Sequence, residues 1–202
     1  MNRQSIRYLI FGAFVSLSTL TIHDARQKPI ATSQSEERIY IQSSVMPVIE
    51  PVKKQKTYID QVNLDPELQD WLIDYCNDRH LSPCLVMALI EQESDCDPEC
   101  VYITDREESI GLMQINTRWH IERMEALGVT DLKDPKQNII VGVDYLLELF
   151  RTNPETEWVL NVYNGGQAYA DRIEEIGIVT DYALEIMTRA KELEGYLYGN
   201  DE

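Results

Sequence analysis

The chain has 202 residues, enough for one domain of ordinary size and an attached segment. With 35 acidic residues against 18 Lys and Arg, its formal net charge of -17 argues against a nucleic-acid partner, because affinity for phosphates comes largely from basic side chains. A neutral or cationic partner fits this charge, as does a polymer bound through hydrogen bonds, although solubility alone is the more common reason for such acidity.

The first residues have the composition of an export signal. Arg3 and Arg7 form a short basic region before an uncharged apolar run from Tyr8 to Ile22, whose roughly 15 residues match a secretory signal better than the ~20 residues of a spanning helix. The following HDARQ lacks an A-x-A-like cleavage site. Residues 1–22 therefore predict export, and both a cleaved signal peptide and an uncleaved membrane anchor remain open.

Residues 23–62 have the composition of a linker. They contain Pro29, Pro47 and Pro51, the polar run TSQSEE and the basic cluster KKQK, with only RIYIQ resembling a strand. Such a segment cannot bury enough apolar surface to form a core. We expect the folded domain to occupy residues 63–202.

Helical periodicity begins near residue 65 and continues to the end of the chain. Three predicted helices, in DPELQDWLIDYC, SPCLVMALIEQES and DPKQNIIVGVDYLLELF, each start with an N-cap residue followed by proline at the first helical position. The segments ETEWVLNVYN and TDYALEIMTRAKELEGYL predict two more helices. No stretch alternates polar and apolar residues for long, so the fold class is mainly α.

Four cysteines lie within 25 positions, at Cys76, Cys84, Cys96 and Cys100. An even number in an exported chain predicts two disulfides, for which three connectivities exist. We favour Cys76 with Cys84 and Cys96 with Cys100. A zinc site is the competing interpretation, but the cluster has no CxxC pair and no histidine at ligand spacing.

Two carboxylates, Glu91 and Glu93, follow the apolar stretch LVMALI of the second predicted helix. On a helical wheel of about 100° per residue, with Leu85 at zero, the apolar face centres at roughly 70°, Glu93 falls at about 80° and Glu91 at about 240°. Glu91 is therefore interpreted as a surface charge. Glu93 points toward the core, where desolvation raises the pKa of a carboxyl group and suits it to general-acid catalysis. The alternative is a helix that frays before Glu93 and leaves it solvated.

Four sequence blocks follow one another with ordinary gaps: an apolar helix ending in Glu93 and Ser94, then GLMQ, then DPKQNI with a later YL, then YNGG. From Ser82 to about Leu193 this order resembles the lytic transglycosylases of the soluble-lytic-transglycosylase (SLT) type, within the lysozyme-like superfamily. No single block is specific, whereas the four in order are. The sequence GLMQIN followed by a tryptophan is similar to that of small exported members of this family, which open the cell wall locally for secretion or conjugation machinery.

The resemblance implies that Glu93 is the catalytic acid/base and that a group of polar side chains binds the substrate. Those side chains are Ser94, Gln114, Asn116, Tyr163, Asn164 and Tyr182. Ser94 and Gln114 have the alternative role of bonding backbone groups, and Tyr163 that of packing in the core. Asn116 stands where many members have Met, and Tyr182 follows Thr180 one residue sooner than in the T-x-x-Y pattern of the family. Gly165 stands where the family usually has Ala.

Three further residues have structural interpretations. We expect Trp119 and Trp158 to pack in the core, and Gly142 to allow two helices to approach closely.

The substrate that the resemblance implies is peptidoglycan, cut between N-acetylmuramic acid and N-acetylglucosamine with formation of a 1,6-anhydro end. This chemistry needs no metal and no organic cofactor. A goose-type lysozyme-like hydrolase is the nearest alternative and requires a second carboxylate, for which Asp95, Asp97, Asp105, Glu107 and Glu108 are candidates. The second alternative is an inactive wall-binding or scaffold domain.

Overall fold

A computed structural model describes residues 58–105 and 107–199. Seven helices make this part of the chain 62% helical, which confirms the mainly α prediction. The helices are α1 (Pro66–Asn77), α2 (Pro83–Ser94), α3 (Ile121–Leu127), α4 (Pro135–Thr152), α5 (Thr156–Gly165), α6 (Gln167–Ile176) and α7 (Asp181–Tyr198). Three short strands, β1 (Val101–Ile103), β2 (Glu108–Ile110) and β3 (Ile115–Asn116), lie between α2 and α3.

The three predicted N-caps are confirmed. Asp65 Oδ1 accepts hydrogen bonds from the backbone N–H groups of Glu67 and Leu68, at 2.9 and 3.1 Å. Ser82 Oγ and Asp134 Oδ1 accept from the N–H three residues on, at 3.2 and 2.8 Å. The proline that follows each cap has no backbone N–H, and the first helical position requires none, because an N–H there has no partner within the helix. The cap and the proline together therefore set where α1, α2 and α4 begin.

Helix α2 lies at the centre of the core. All eight residues from Pro83 to Ile90 are buried, and α7 packs along α2. The single apolar face assumed on the helical wheel is therefore wrong, because this part of the helix is enclosed on every side. Only its last turn, which holds Glu91 and Glu93, reaches half-buried positions.

The strands form an antiparallel sheet in the order β1-β2-β3, which the sequence did not reveal. Tyr102 pairs with Ser109, and Ser109 pairs on its other side with Asn116. Strands of two or three residues are too short to show alternation. Helices α3 and α6 were also missed, since α3 buries no residue and α6 buries only Ala170.

The packed core extends into the segment predicted as linker. Ile59 and Val62 are 1% and 4% exposed. The buried amide of Gln69 in α1 holds this lead-in: its Oε1 accepts from Ile59 N at 2.8 Å, and its Nε2 donates to the carbonyls of Ile59, Val62 and Leu64.

The predicted signal or anchor, and most of the predicted linker, lie outside the described residues. Within residues 58–105 and 107–199, no helix has both the length and the apolar character needed to cross a membrane.

The four cysteines form no disulfide within the described residues, so the predicted pairs Cys76–Cys84 and Cys96–Cys100 are absent from this structure. Cys76, Cys84 and Cys96 are buried, and Cys100 is half-buried. Burial raises the pKa of the first three thiols to about 12. Thiols in such surroundings pack as small apolar side chains.

Candidate active site

Glu93 lies in the last turn of α2 and is half-buried. The helix continues to Ser94 and ends where Asp95 takes a left-handed conformation with φ of 56°. The alternative in which the helix frays before Glu93 is therefore wrong. The carboxyl group is held at a defined position at the edge of the core.

A tyrosine hydroxyl and partial burial determine the charge state of Glu93. Burial raises its pKa to about 7, while a hydrogen bond donated by the Tyr182 hydroxyl to Oε1 opposes this shift. Desolvation disfavours the charged carboxylate, and a donor favours it. Near neutral pH the group is therefore present in both protonation states, as a residue that acts first as acid and then as base requires.

Tyr182 reaches Glu93 from the first turn of α7. Thr180 caps this helix, because its Oγ1 accepts from Ala183 N at 3.2 Å and donates to Asn161 Oδ1 in α5 at 2.7 Å. The start of α7 is thus fixed against α5. The shorter Thr-Asp-Tyr spacing does not prevent the side chain from reaching the catalytic candidate.

Tyr163 lies near the end of α5, where it interacts electrostatically with Glu93. Its hydroxyl donates to the Met113 carbonyl at 2.8 Å, and its ring centroid lies 5.5 Å from that of Tyr145. Burial, together with the nearby Glu93 carboxylate, raises the pKa of Tyr163 well above its usual value. Tyr163 therefore remains a neutral donor. Asn164 follows it at a half-buried position.

The GLMQ segment, Gly111 to Gln114, forms a turn next to the end of α2. Ser94 Oγ bonds the carbonyls of Leu112 at 2.8 Å and Ile90 at 3.2 Å, which joins this turn to the helix. Ser94 thus has the backbone-bonding role considered as the alternative in the sequence.

Asn138 in α4 holds the same turn and is fully buried. Its Oδ1 accepts from Met113 N, and its Nδ2 donates to the carbonyls of Ile110 and Leu132, all at 2.8 Å. Gly111 has φ of +78°, and an added Cβ would lie 2.3 Å from Asn138 Nδ2. Asn138 was not singled out from the sequence, although it is the asparagine of the DPKQNI block.

Gly142 contacts this turn and does not serve helix–helix packing as expected. A Cβ at this position would lie 2.3 Å from Met113 Sδ. The absent side chain therefore makes room for Met113.

Gln114 and Asn116 use their amides to shape the turn and the strand that follows. Gln114 has φ of 45°, and its Nε2 donates to the carbonyls of Cys100 and Gly111 at 3.1 and 3.0 Å. Asn116 Oδ1 accepts from the N–H groups of Arg118 and Trp119 at 3.1 and 3.2 Å. Gln114 ends the GLMQ turn and Asn116 lies in β3 directly after it, and their contact with substrate stays a prediction.

A cluster beside Tyr145 was not found from the sequence. His120 meets the Tyr145 ring edge-on at 4.6 Å between centroids, and the Arg123 guanidinium lies 5.1 Å from that ring. Arg123 forms ion pairs with Asp144 and Glu148. Burial and the nearby Arg123 lower the pKa of His120 to about 4, so the imidazole is neutral at physiological pH.

The two tryptophans differ from each other. Trp158 is 7% exposed and donates from Nε1 to Asp171 at 3.1 Å, as expected of a core residue with a satisfied donor. Trp119 is 71% exposed, so its predicted core position is wrong. It follows the short strand β3, and its backbone N–H donates to Asn116 Oδ1.

Glu91 is more than a surface charge. It accepts two hydrogen bonds from Arg189 in α7, from Nε at 2.7 Å and from the second guanidinium nitrogen at 3.0 Å. Glu91 and Glu93, two residues apart, therefore both bind α7.

One comparison with known proteins bears on this site. The family model described as Transglycosylase SLT domain matches residues 72–176, just over half of the 202 residues. The matched range includes Glu93, Ser94, the GLMQ turn and Tyr163, and it ends before Tyr182. No curated protein matches the chain.

Proposed function

The chain belongs to the family of transglycosylase SLT domains, which act on peptidoglycan, and from this premise we propose that it cleaves the β-1,4 bond between N-acetylmuramic acid and N-acetylglucosamine. The proposed product carries a 1,6-anhydro end on the muramic residue. The observation that carries this proposal is a single half-buried carboxyl group, Glu93, whose pKa of about 7 and tyrosine donor suit it to both steps of the reaction.

In the first step the protonated Glu93 donates its proton to the glycosidic oxygen as the bond from that oxygen to C1 breaks. Positive charge develops at C1, and the acetamido group of the substrate stabilises it. This substrate assistance replaces a second catalytic carboxylate. The glucosamine end leaves with the proton.

In the second step the ionised Glu93 accepts the proton of the C6 hydroxyl while that oxygen attacks C1. The ring closes, no water is consumed, and Glu93 returns to its protonated form. Tyr182 occupies Oε1, so Oε2 is the oxygen available to the sugar. The hydrogen bond from Tyr182 to Oε1 favours the ionised form of Glu93, which this second step needs.

Hydrolysis requires a carboxylate that activates water. Of the five candidates, Asp95, Asp97, Asp105 and Glu108 are exposed and Glu107 is half-buried. Among the described groups, burial and the Tyr182 hydroxyl account for the pKa shift of Glu93, and no carboxylate contributes to it. This supports the transglycosylase over the hydrolase. The intact pair of Glu93 and Tyr182 supports an enzyme over an inactive scaffold.

The substrate also bears on where the enzyme works. Peptidoglycan lies outside the cytoplasmic membrane, so the family indicates an extracytoplasmic location. We propose that the apolar N-terminal segment exports the chain and that glycan strands are its partner. Recruitment by a secretion or conjugation machine is a further part of this proposal, supported by the GLMQIN sequence alone.

Mass spectrometry of the soluble muropeptides released from purified peptidoglycan tests the reaction. We expect 1,6-anhydro ends from the wild-type protein and a release slowed by roughly a thousandfold in Glu93→Gln. Reducing ends without the anhydro modification would support the hydrolase. Absence of any release by wild-type protein would support the inactive scaffold.

A further inference from the structure

Two side-chain contacts join α7 to the last turn of α2. The Tyr182 hydroxyl donates to Glu93, and the Arg189 guanidinium binds Glu91 through two nitrogens. Tyr182 and Arg189 are seven positions apart, which is about two helical turns, so they lie on the same side of α7. The contact that serves the candidate catalytic residue is thus accompanied by a second contact between the same two helices.

The pair of Glu91 and Arg189 has the geometry of an interaction that fixes position. A guanidinium bound through two nitrogens to both oxygens of a carboxylate restricts distance and rotation together. The two side chains are 21% and 28% exposed, so solvent screens them less than a surface pair. Arg189 also donates to Glu192 at 3.2 Å and to the Gln61 carbonyl at 3.1 Å, so four hydrogen bonds to three residues hold the guanidinium.

The buried residues of α2 and α7 are apolar apart from Ser94. Apolar packing is non-directional, so it favours a close approach of α2 and α7 without specifying the position of one hydroxyl to a fraction of an ångström. A hydrogen bond requires that accuracy. The two directional hydrogen bonds from the guanidinium of Arg189 to Glu91, called the fork below, fix a second position along α7.

We propose that Glu91 and Arg189 are positioning residues for the reaction, which set α7 against α2 so that the Tyr182 hydroxyl remains on Glu93. This inference rests on the proposed function. Neither residue touches the reacting atoms in this assignment; both act through Tyr182. Among the described residues, the titratable groups that interact with Glu93 are Tyr182 from α7 and Tyr163 from α5.

A double-mutant cycle in the full chain tests this role, with kcat, KM and the pH dependence of kcat measured for Arg189→Met, Tyr182→Phe and the double variant. Tyr182→Phe removes the donor, so we expect kcat to fall about tenfold, the scale of a hydrogen bond to a charged group. The fall of kcat with rising pH is the limb of the pH profile assigned to Glu93, and we expect this limb to move to higher pH. Arg189→Met should lower kcat with little change in KM and move the same limb to higher pH. The double variant should resemble Tyr182→Phe alone.

Two variants serve as controls. Glu192→Gln removes one exposed partner of Arg189 and leaves the fork on Glu91, so it should keep the wild-type pH profile. Arg189→Lys keeps the charge and loses the fork, so it should restore only part of the activity. If Arg189→Met does not fold, Glu91→Gln, which keeps the shape of the side chain, takes its place in the cycle.

The inference is overturned if Arg189→Met lowers only the melting temperature and leaves the pH profile unchanged, or if its effect adds in full to that of Tyr182→Phe. Carboxyl NMR titration of Glu93, identified by its absence in Glu93→Gln, gives the same readout without activity. An inactive wild-type protein would therefore contradict the proposed function while the titration still decides the role of Arg189.

Discussion

Glu91 and Glu93 lie two residues apart on one helix and bind the same neighbouring helix, yet their surroundings differ in one decisive respect. Glu91 faces a guanidinium, whose charge offsets the cost of taking a carboxylate out of water. Glu93 faces a neutral hydroxyl, and its pKa rises to about 7. The comparison shows that burial raises the pKa of Glu93 because its partner on α7 is a neutral hydroxyl, which brings no positive charge to offset the desolvation.

The largest expected difference between the two residues is in activity. Glu93→Gln removes the proton donor and should lower kcat by roughly a thousandfold, within the usual range for a general acid. Glu91→Gln should lower it by about tenfold at most, since it acts only through position. Release of soluble muropeptides from purified peptidoglycan measures both. Equal losses of kcat in Glu93→Gln and Glu91→Gln would contradict different roles for these two residues.

The pH dependence of kcat sharpens the comparison. The proposed first step needs protonated Glu93, so kcat should fall as pH rises through the pKa of about 7. In Tyr182→Phe the donor that lowers this pKa is lost, and the decline should begin at higher pH. Initial rates across the neutral range measure the limb. A limb that stays in place in Tyr182→Phe would show that the hydroxyl does not act on Glu93.

Glu93→Gln and Glu91→Gln should change the free energy of unfolding in opposite directions. The folded-state pKa of Glu93 is raised from 4.5 to about 7, so this group destabilises the fold increasingly as pH rises between these values. Glu93→Gln should therefore raise the free energy of unfolding by up to about 3 kcal/mol above pH 7, with no gain below the unfolded pKa.

Glu91→Gln is the matched comparison for stability. It should lower the free energy of unfolding by about 1 kcal/mol at neutral pH, because the charge of Arg189 loses its partner. Urea unfolding at acidic and at mildly basic pH measures both variants. A destabilised Glu93→Gln above pH 7 would contradict the assignment of a desolvated carboxyl group.

The smallest expected effect comes from salt. Wall polymers often carry negative charge, and the chain has a formal net charge of -17, so moderate salt should screen their repulsion and raise activity by about twofold. The pH limb of Glu93 should not move, since a half-buried group is screened less. Rates at low and moderate ionic strength measure this, and a fall in activity would show that repulsion is not limiting.

Much of the candidate site could be predicted because its signals are local. The pattern of cap and proline places α2, and the position of Glu93 after an apolar run follows from reading a dozen consecutive residues. The GLMQ turn could be recognised but not explained, since its hydrogen bonds come from Ser94 and Asn138, distant in sequence. The three strands were missed because they are too short to carry a periodic signal.

The sequence by itself determined the helical class, the starts of three helices and the family, and it predicted Glu93 rather than Glu91 as the acid. Only the tertiary structure decided the partner of each carboxylate, because those contacts join residues 89 and 98 positions apart. Local propensity and periodicity act over one or two turns, whereas the pKa of Glu93 depends first on its burial by packing and then on the Tyr182 hydroxyl that the same packing brings to it. The same packing turned an expected surface charge, Glu91, into half of an ion pair.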